Sequence, residues 1–149
     1  MAIFYTEKER SYLIGIIDFE QNLSESNIGT QKSFPTFKNS FKGKCTIEIY
    51  SNEGEHIPHF HIESNDRSFS CCICIFDNRF FTHGKHKDTL YRKDWKVLDE
   101  WLRKDNTKNK SMSNWEYIAT TWDNIYGQDN YNNISEQPNY TNIKPYKEK

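Results

Sequence analysis

The chain predicts an α+β fold: a small antiparallel sheet of about four or five strands packed against two amphipathic helices. Three observations carry this expectation. Between residues 45 and 83, runs of β-branched and aromatic residues with a period of two are broken by short polar turns. Further on, apolar residues recur at three-and-four spacing in two separate stretches. The composition permits a core: hydrophobic residues make up only 35%, but ten Phe, nine Tyr and four Trp fill space with few side chains.

Taken in order, Ile3 to Tyr5 and Tyr12 to Phe19 read as β segments on either side of a charged turn. Tyr12 to Ile17 is nearly continuous apolar, which predicts burial on both faces or a shielded interface, and Gly15 is a candidate bulge. Glu20 to Phe41 is a polar linker. Its Phe34, Phe37 and Phe41 alternate with Lys32, Lys38, Lys42 and Lys44, a composition compatible with stacking on single strands and equally with pinning a loop to the core.

Cys45, Ile47 and Ile49 alternate with Thr46, Glu48 and Tyr50, the pattern of a half-buried strand. Ser51 to Gly54 supplies turn residues, and Pro58, which cannot donate to a ladder, marks the start of the next strand. There His59 and His61 point one way and Phe60 and Ile62 the other, placing two imidazoles roughly 7 Å apart on one face. Ser64 to Arg67 reads as a turn, Phe69 to Phe76 as a third strand and Arg79 to His83 as a fourth, so neighbours should pair in sequence order. Leu90, Val97, Leu98, Trp101 and Leu102 form one helical face, with Asp88 as an early cap or a start nearer Arg92. Ser113-Asn114-Trp115-Glu116 has the form of a capping box opening a second helix, in which Trp115, Ile118, Ala119, Trp122 and Ile125 share a face. The expected organisation is an N-terminal strand and linker over 1–44, a core over 45–126 and an Asn/Tyr-rich mobile tail over 127–149, whose Tyr131, Tyr140 and Tyr146 are available to a partner.

YSNEGEHIPHFHIE resembles the signature of a small bacterial family known as domain of unknown function 4160, and LYRKDWKVLDEWL, Leu90 to Leu102, is similar to that family's helix. Asn114-Trp115-Glu116 is similar to its following helix. Ile57 stands where that family commonly has a second proline, and Tyr91 where the helix often opens with one. The resemblance implies an α+β domain found in toxin–antitoxin-like or mobile-element settings, with no reaction attached.

Net charge of −1 argues against a general nucleic-acid binder, and no apolar run approaches the roughly 20 residues that span a bilayer. The N-terminus lacks the pattern of a signal peptide, and four cysteines without a spaced framework, Cys45, Cys71, Cys72 and Cys74, favour structural thiols. A cytoplasmic protein is expected, with no membrane partner.

All five histidines lie between His56 and His86. His59-x-His61 with Cys72-x-Cys74 would offer nitrogen and sulfur donors suited to zinc if all four faced one side, a register that alternation does not determine. His56, His83 and His86 are a further set. With no H-E-x-x-H motif, C-x-x-C pair or carboxylate triad, structural imidazoles are preferred, and no metal, cofactor or catalytic residue is expected. A Cys–His nucleophile, or His61 oriented by Glu63 or Asp66, is permitted by spacing but not specified. From His83 to Lys110, nine Lys and Arg stand against five Asp and Glu. The binding residues expected are therefore His59, His61, Lys85, Lys87, Arg92, Lys93 and Lys96. What the resemblance to domain 4160 implies for function is a small non-enzymatic regulatory or inhibitory protein, antitoxin-like or a mobile-element or phage inhibitor, that binds a nucleic-acid-processing effector protein or its ribonucleoprotein, with RNA contact allowed. The alternative is a metal- or histidine-dependent hydrolase acting on nucleic acid.

Overall fold

The computed structural model describes residues 11–19, 43–51, 57–82 and 88–145. Ile3 to Tyr5, the polar linker from Glu20 to Phe41, and His56, His83, Lys85, His86, Lys87 and Tyr146 lie outside them. The fold is α+β, built on a six-stranded sheet in the order β1-β2-β3-β4-β5-β6. Its strands are β1 (Ser11–Asp18), β2 (Lys44–Tyr50), β3 (His59–Ser64), β4 (Ser70–Cys74), β5 (Arg79–Phe81) and β6 (Lys144–Pro145). The first five pair antiparallel with their sequence neighbours, as a meander requires. β6 adds in parallel to β5 after the chain has passed through α1 (Arg92–Arg103), α2 (Asn114–Tyr126) and the short α3 (Asn130–Asn133). This two-residue strand takes the count past the four or five expected, and its sequence, Lys-Pro, carries no β signal. Among the described residues no helix is long and apolar enough to cross a membrane.

β1 departs from the reading of a strand buried on both faces. Its register against β2 shifts by one residue between Leu13 and Gly15, so Ile14 is the extra residue of a bulge. The shift resets the alternation, bringing Ile17 opposite Cys45 and leaving both Ile14 and Ile17 buried while Leu13 and Ile16 are exposed. Gly15 is required there. A Cβ at this position would lie 2.8 Å from Trp101 Cζ2 of α1, closer than carbon atoms approach. The helix-connecting loop also reaches β1, with Asn106 Nδ2 and Lys108 Nζ donating to the carbonyls of Ile14 (3.3 Å) and Leu13 (2.6 Å).

One sheet face and the inner faces of α1 and α2 make the core: Ile47, Ile49, Phe60, Ile62 and Ile73 pack with Leu98, Leu102, Trp115, Ile118 and Trp122. α1 begins at Arg92, after an N-cap Tyr91 that supplies no side-chain cap. Asp88 does not cap it. Its carboxylate accepts from Ser70 N at 2.9 Å, and its own N–H donates to Ser70 O at 2.9 Å, tying the approach to α1 onto β4. α2 opens with the full capping box: Ser113 Oγ accepts from Glu116 N at 3.0 Å, and Glu116 Oε1 accepts from Ser113 N at 2.9 Å. It closes on Gly127 at φ 64°, the left-handed conformation that glycine adopts without strain.

The segment after Gly127 differs from the mobile tail expected, because it is docked as far as Pro145. Tyr140 is fully buried and its hydroxyl donates towards the carbonyls of Cys74 (2.7 Å) and Ile75 (3.0 Å) at the end of β4. Its N–H donates to Asp99 Oδ1 of α1 at 3.0 Å, and Tyr131 OH meets Glu116 of α2 at 3.1 Å. Low hydrophobicity hid these anchors, since each is a single aromatic with a polar tip.

Asp94 is a local conflict in this core. It sits in the first turn of α1, where the helix dipole favours a carboxylate, yet it is fully buried and neither oxygen has a hydrogen-bond partner among the described residues. Burial pushes its pKa up to about 6, with Lys93 opposing the shift. The folded state thus holds a proton that the unfolded chain releases near pH 4, so this contribution to stability is full below about pH 4 and is lost as pH rises through about 6. Asp94→Asn should flatten the stability profile between about pH 4 and pH 7 and raise stability at neutral pH by on the order of 2 kcal/mol, read from urea midpoints at each pH. Gly15→Ala should destabilise by about 1–3 kcal/mol through overlap with Trp101, and Gly15→Ala combined with Trp101→Ala should show that the two losses are not additive.

Candidate functional site: a buried polar face on the central strands

The opposite face of β2, β3 and β4 is polar and buried. The hairpin joining β3 to β4 decides what meets there. Ser64 N donates to Phe69 O and Arg67 N to Ser64 O, both at 3.0 Å, with Arg67 held at φ 63°. Asp66 braces the turn: its Oδ1 accepts from Ser68 N (3.0 Å), Ser68 Oγ (2.7 Å) and Ser64 Oγ (2.9 Å), and these bonds, Ser68's first, lower its pKa to about 2. This turn places His61 opposite Cys72 and His59 opposite Cys74. Directly opposed residues of an antiparallel pair share a face, so the four side chains whose alignment alternation leaves open do lie on one side.

His59, His61 and Cys72 are all buried, and one donor atom from each lies within 4.8 Å of the others. The imidazole rings are closer than the strand rise alone implies, with centroids 5.0 Å apart. Cys72 Sγ is 3.7 Å from His61 Nδ1. His59 Nδ1 is 2.7 Å from the Ile57 carbonyl, which can only accept, so Nδ1 carries a proton and donates it, leaving Nε2 as the ring atom that points into the site. Aromatic rings surround His59: Phe81 edge-on at 5.1 Å and Trp122 at 5.5 Å, the latter stacked near Tyr126. Tyr126 OH in turn donates to Tyr50 O at 2.5 Å, binding α2 to the end of β2.

Beside this trio runs a carboxylate network. Glu63 is 1% exposed and accepts from Tyr50 OH (2.9 and 3.0 Å), Ser70 Oγ (3.1 Å) and the guanidinium of Arg67, itself turned back by the left-handed hairpin residue. Glu48, opposite His61, accepts from Thr46 Oγ1 at 2.6 Å and Ser11 Oγ at 3.0 Å. Arg67 also reaches Glu48, at 4.0 Å. Thr46, Glu48 and Tyr50 read in the sequence as the outer side of a half-buried strand. Their role is visible only once β3 is paired, although a Thr-x-Glu-x-Tyr strand beside a His-x-His-x-Glu strand is a signal in retrospect.

The remaining sequence-derived candidates lie elsewhere. Cys45 and Cys71 belong to the apolar core, and burial pushes the Cys45 thiol up to about 12 and that of Cys71 well above its usual value. Cys74 shares the face of His59, and burial pushes its thiol up to about 12 as well. All four cysteines are buried, and none of them is in a disulfide. Arg92 and Lys96, one turn apart on α1, are exposed, and Lys93 is half-buried, all three in the first turns of the helix. His59 and His61 are thus brought together with Cys72 on paired strands, whereas the three basic residues belong to α1. No family model, curated protein or solved structure matches the chain.

Glu63, itself buried, organises three donors from β2, β4 and the hairpin between β3 and β4. Glu63→Gln should cost about 2 kcal/mol or more, because it exchanges an acceptor of three hydrogen bonds for a group that must present an amide to one of those donors. Chemical denaturation will measure this, with Ser70→Ala as the milder comparison.

Proposed function

We propose that this protein is a small cytoplasmic binding protein without enzymatic activity, a regulator or inhibitor that recognises a nucleic-acid-processing effector protein or its ribonucleoprotein. The observation that carries this reading is the burial of the groups capable of chemistry. His59 is 1% exposed and His61 and Cys72 are 0% exposed, so a substrate has no approach to them in the folded state. Catalytic groups need contact with substrate or water, which side chains this deeply buried are not offered at the surface. The surface instead offers Arg92 and Lys96 on α1 and the apolar Leu13 and Ile16 on β1. A compact basic pair suits an acidic protein surface or a phosphate, while the net charge of −1 disfavours indiscriminate nucleic-acid binding. Buried cysteines outside any disulfide agree with a reducing compartment.

The likeness to domain 4160 is part of the same proposal, and with it the antitoxin-like or mobile-element setting. The competing reading, a histidine-dependent hydrolase, has the convergence of His59, His61 and Cys72 in its favour and their burial against it. Arg92→Glu/Lys96→Glu should reduce partner recovery from a bacterial lysate by at least about tenfold while leaving the melting temperature within a few degrees, since both residues are exposed. Undiminished recovery would remove α1 as the binding surface. Nuclease turnover by the wild type that His59→Ala/His61→Ala abolishes would replace the binding reading with the enzymatic one.

A further inference from the structure

The buried polar face does more than satisfy its own hydrogen bonds. We propose that His59, His61 and Cys72 bind one zinc ion through three protein ligands, a metal centre that clamps β3 to β4. This inference is independent of the binding role argued above, since it concerns the opposite end of the chemistry: what the interior holds, and not what the surface recognises.

The donor set comes first. Two imidazoles and a thiolate match the borderline-soft preference of Zn²⁺, and strand pairing presents them without a long loop. Distance comes second. With Zn–N near 2.05 Å and Zn–S near 2.3 Å, a tetrahedral ion separates a nitrogen from a sulfur ligand by about 3.6 Å. His61 Nδ1 and Cys72 Sγ already stand 3.7 Å apart. The widest separation within the trio, at most 4.8 Å, closes with a side-chain adjustment of about 1 Å, which a small χ rotation supplies.

Orientation is set by a second layer of contacts. The Nδ1–H of His59 bonded to the Ile57 carbonyl at 2.7 Å turns the Nε2 lone pair away from the backbone, the arrangement that fixes metal-ligating imidazoles. Tyr50 lies against the His61 ring at a centroid distance of 4.5 Å. Charge also balances. On this face Glu48 and Glu63 as carboxylates, with the guanidinium of Arg67, leave one net negative charge among the described residues. A divalent ion with two neutral imidazoles and one thiolate carries one net positive charge. The two are opposite in sign, and burial of Glu48, Glu63 and the trio strengthens their attraction, while Arg67 keeps its outer side in solvent. Binding replaces the S–H bond of Cys72 with an S–Zn bond and releases its proton to solvent, so affinity rises with pH.

The test uses the full chain, purified without a tag, stripped with a chelator under reducing conditions and titrated with Co²⁺ and then Zn²⁺. One Co²⁺ per chain is expected, with a thiolate-to-cobalt charge-transfer band in the near ultraviolet that Zn²⁺ abolishes, and a higher melting temperature for the loaded form. Cys72→Ser should lose the band, His61→Ala should weaken binding by at least about tenfold, and Cys45→Ser, altered on the apolar face, should behave as the wild type. Wild-type protein that takes up no stoichiometric ion, or binds Co²⁺ without the band, overturns the proposal, as does a Cys72→Ser variant that keeps the band. The wild-type titration decides by itself if a variant fails to fold.

Discussion

Most of the structure depends on the register of β3 against β4. In an antiparallel pair the hairpin length sets which residues oppose one another, and here four turn residues between Ser64 and Phe69 put His61 against Cys72. A slip of one residue would bring Cys71 or Ile73 opposite His61 and force an isoleucine towards the carboxylates. The turn is accordingly overdetermined. Asp66 accepts three hydrogen bonds inside it, and Arg67 takes a left-handed conformation that returns its guanidinium to Glu63. The pairing that creates the histidine–cysteine cluster is thus the same one that satisfies the buried carboxylate.

A sheet buried on both faces needs two different interiors. On one side, isoleucines and tryptophans give a nonpolar core whose stability follows from area removed from water. On the other, His61, Glu48, Glu63, Ser70 and Cys72 are buried among polar neighbours, with Phe81 and Trp122 packed about His59, and each donor left without an acceptor would be costly. Such a face contributes less net stability than an apolar one and more specification of register. Asp94 shows the converse, a carboxylate within the apolar layer that gains a proton more readily than it finds a partner.

Long-range ties close the molecule around this sheet. Asn106 and Lys108 bond to β1, Trp115 Nε1 donates to Ile75 O at 2.9 Å, and Tyr140 joins the same carbonyl from the C-terminal segment. Because α2 and the C-terminal segment converge on the end of β4, the helical layer and the strap share one anchor. That convergence accounts for a parallel β6 beside β5 in a sheet otherwise antiparallel.

Local periodicity in the sequence was enough for the order of β2 to β5, the two helices and the capping box at Ser113, though not for β6, because each of these rests on residues within a few positions of one another. It also placed His59 and His61 on one side of a strand and left open whether Cys72 joined them. That question belonged to register, which a hairpin settles through turn conformation and which a one-residue bulge in β1 can reset without altering composition. The docking of Tyr140 and the burial of Glu48 and Glu63 were decided by tertiary structure alone. Both are polar groups whose partners lie far along the chain, and only folding brings those partners close enough to replace water.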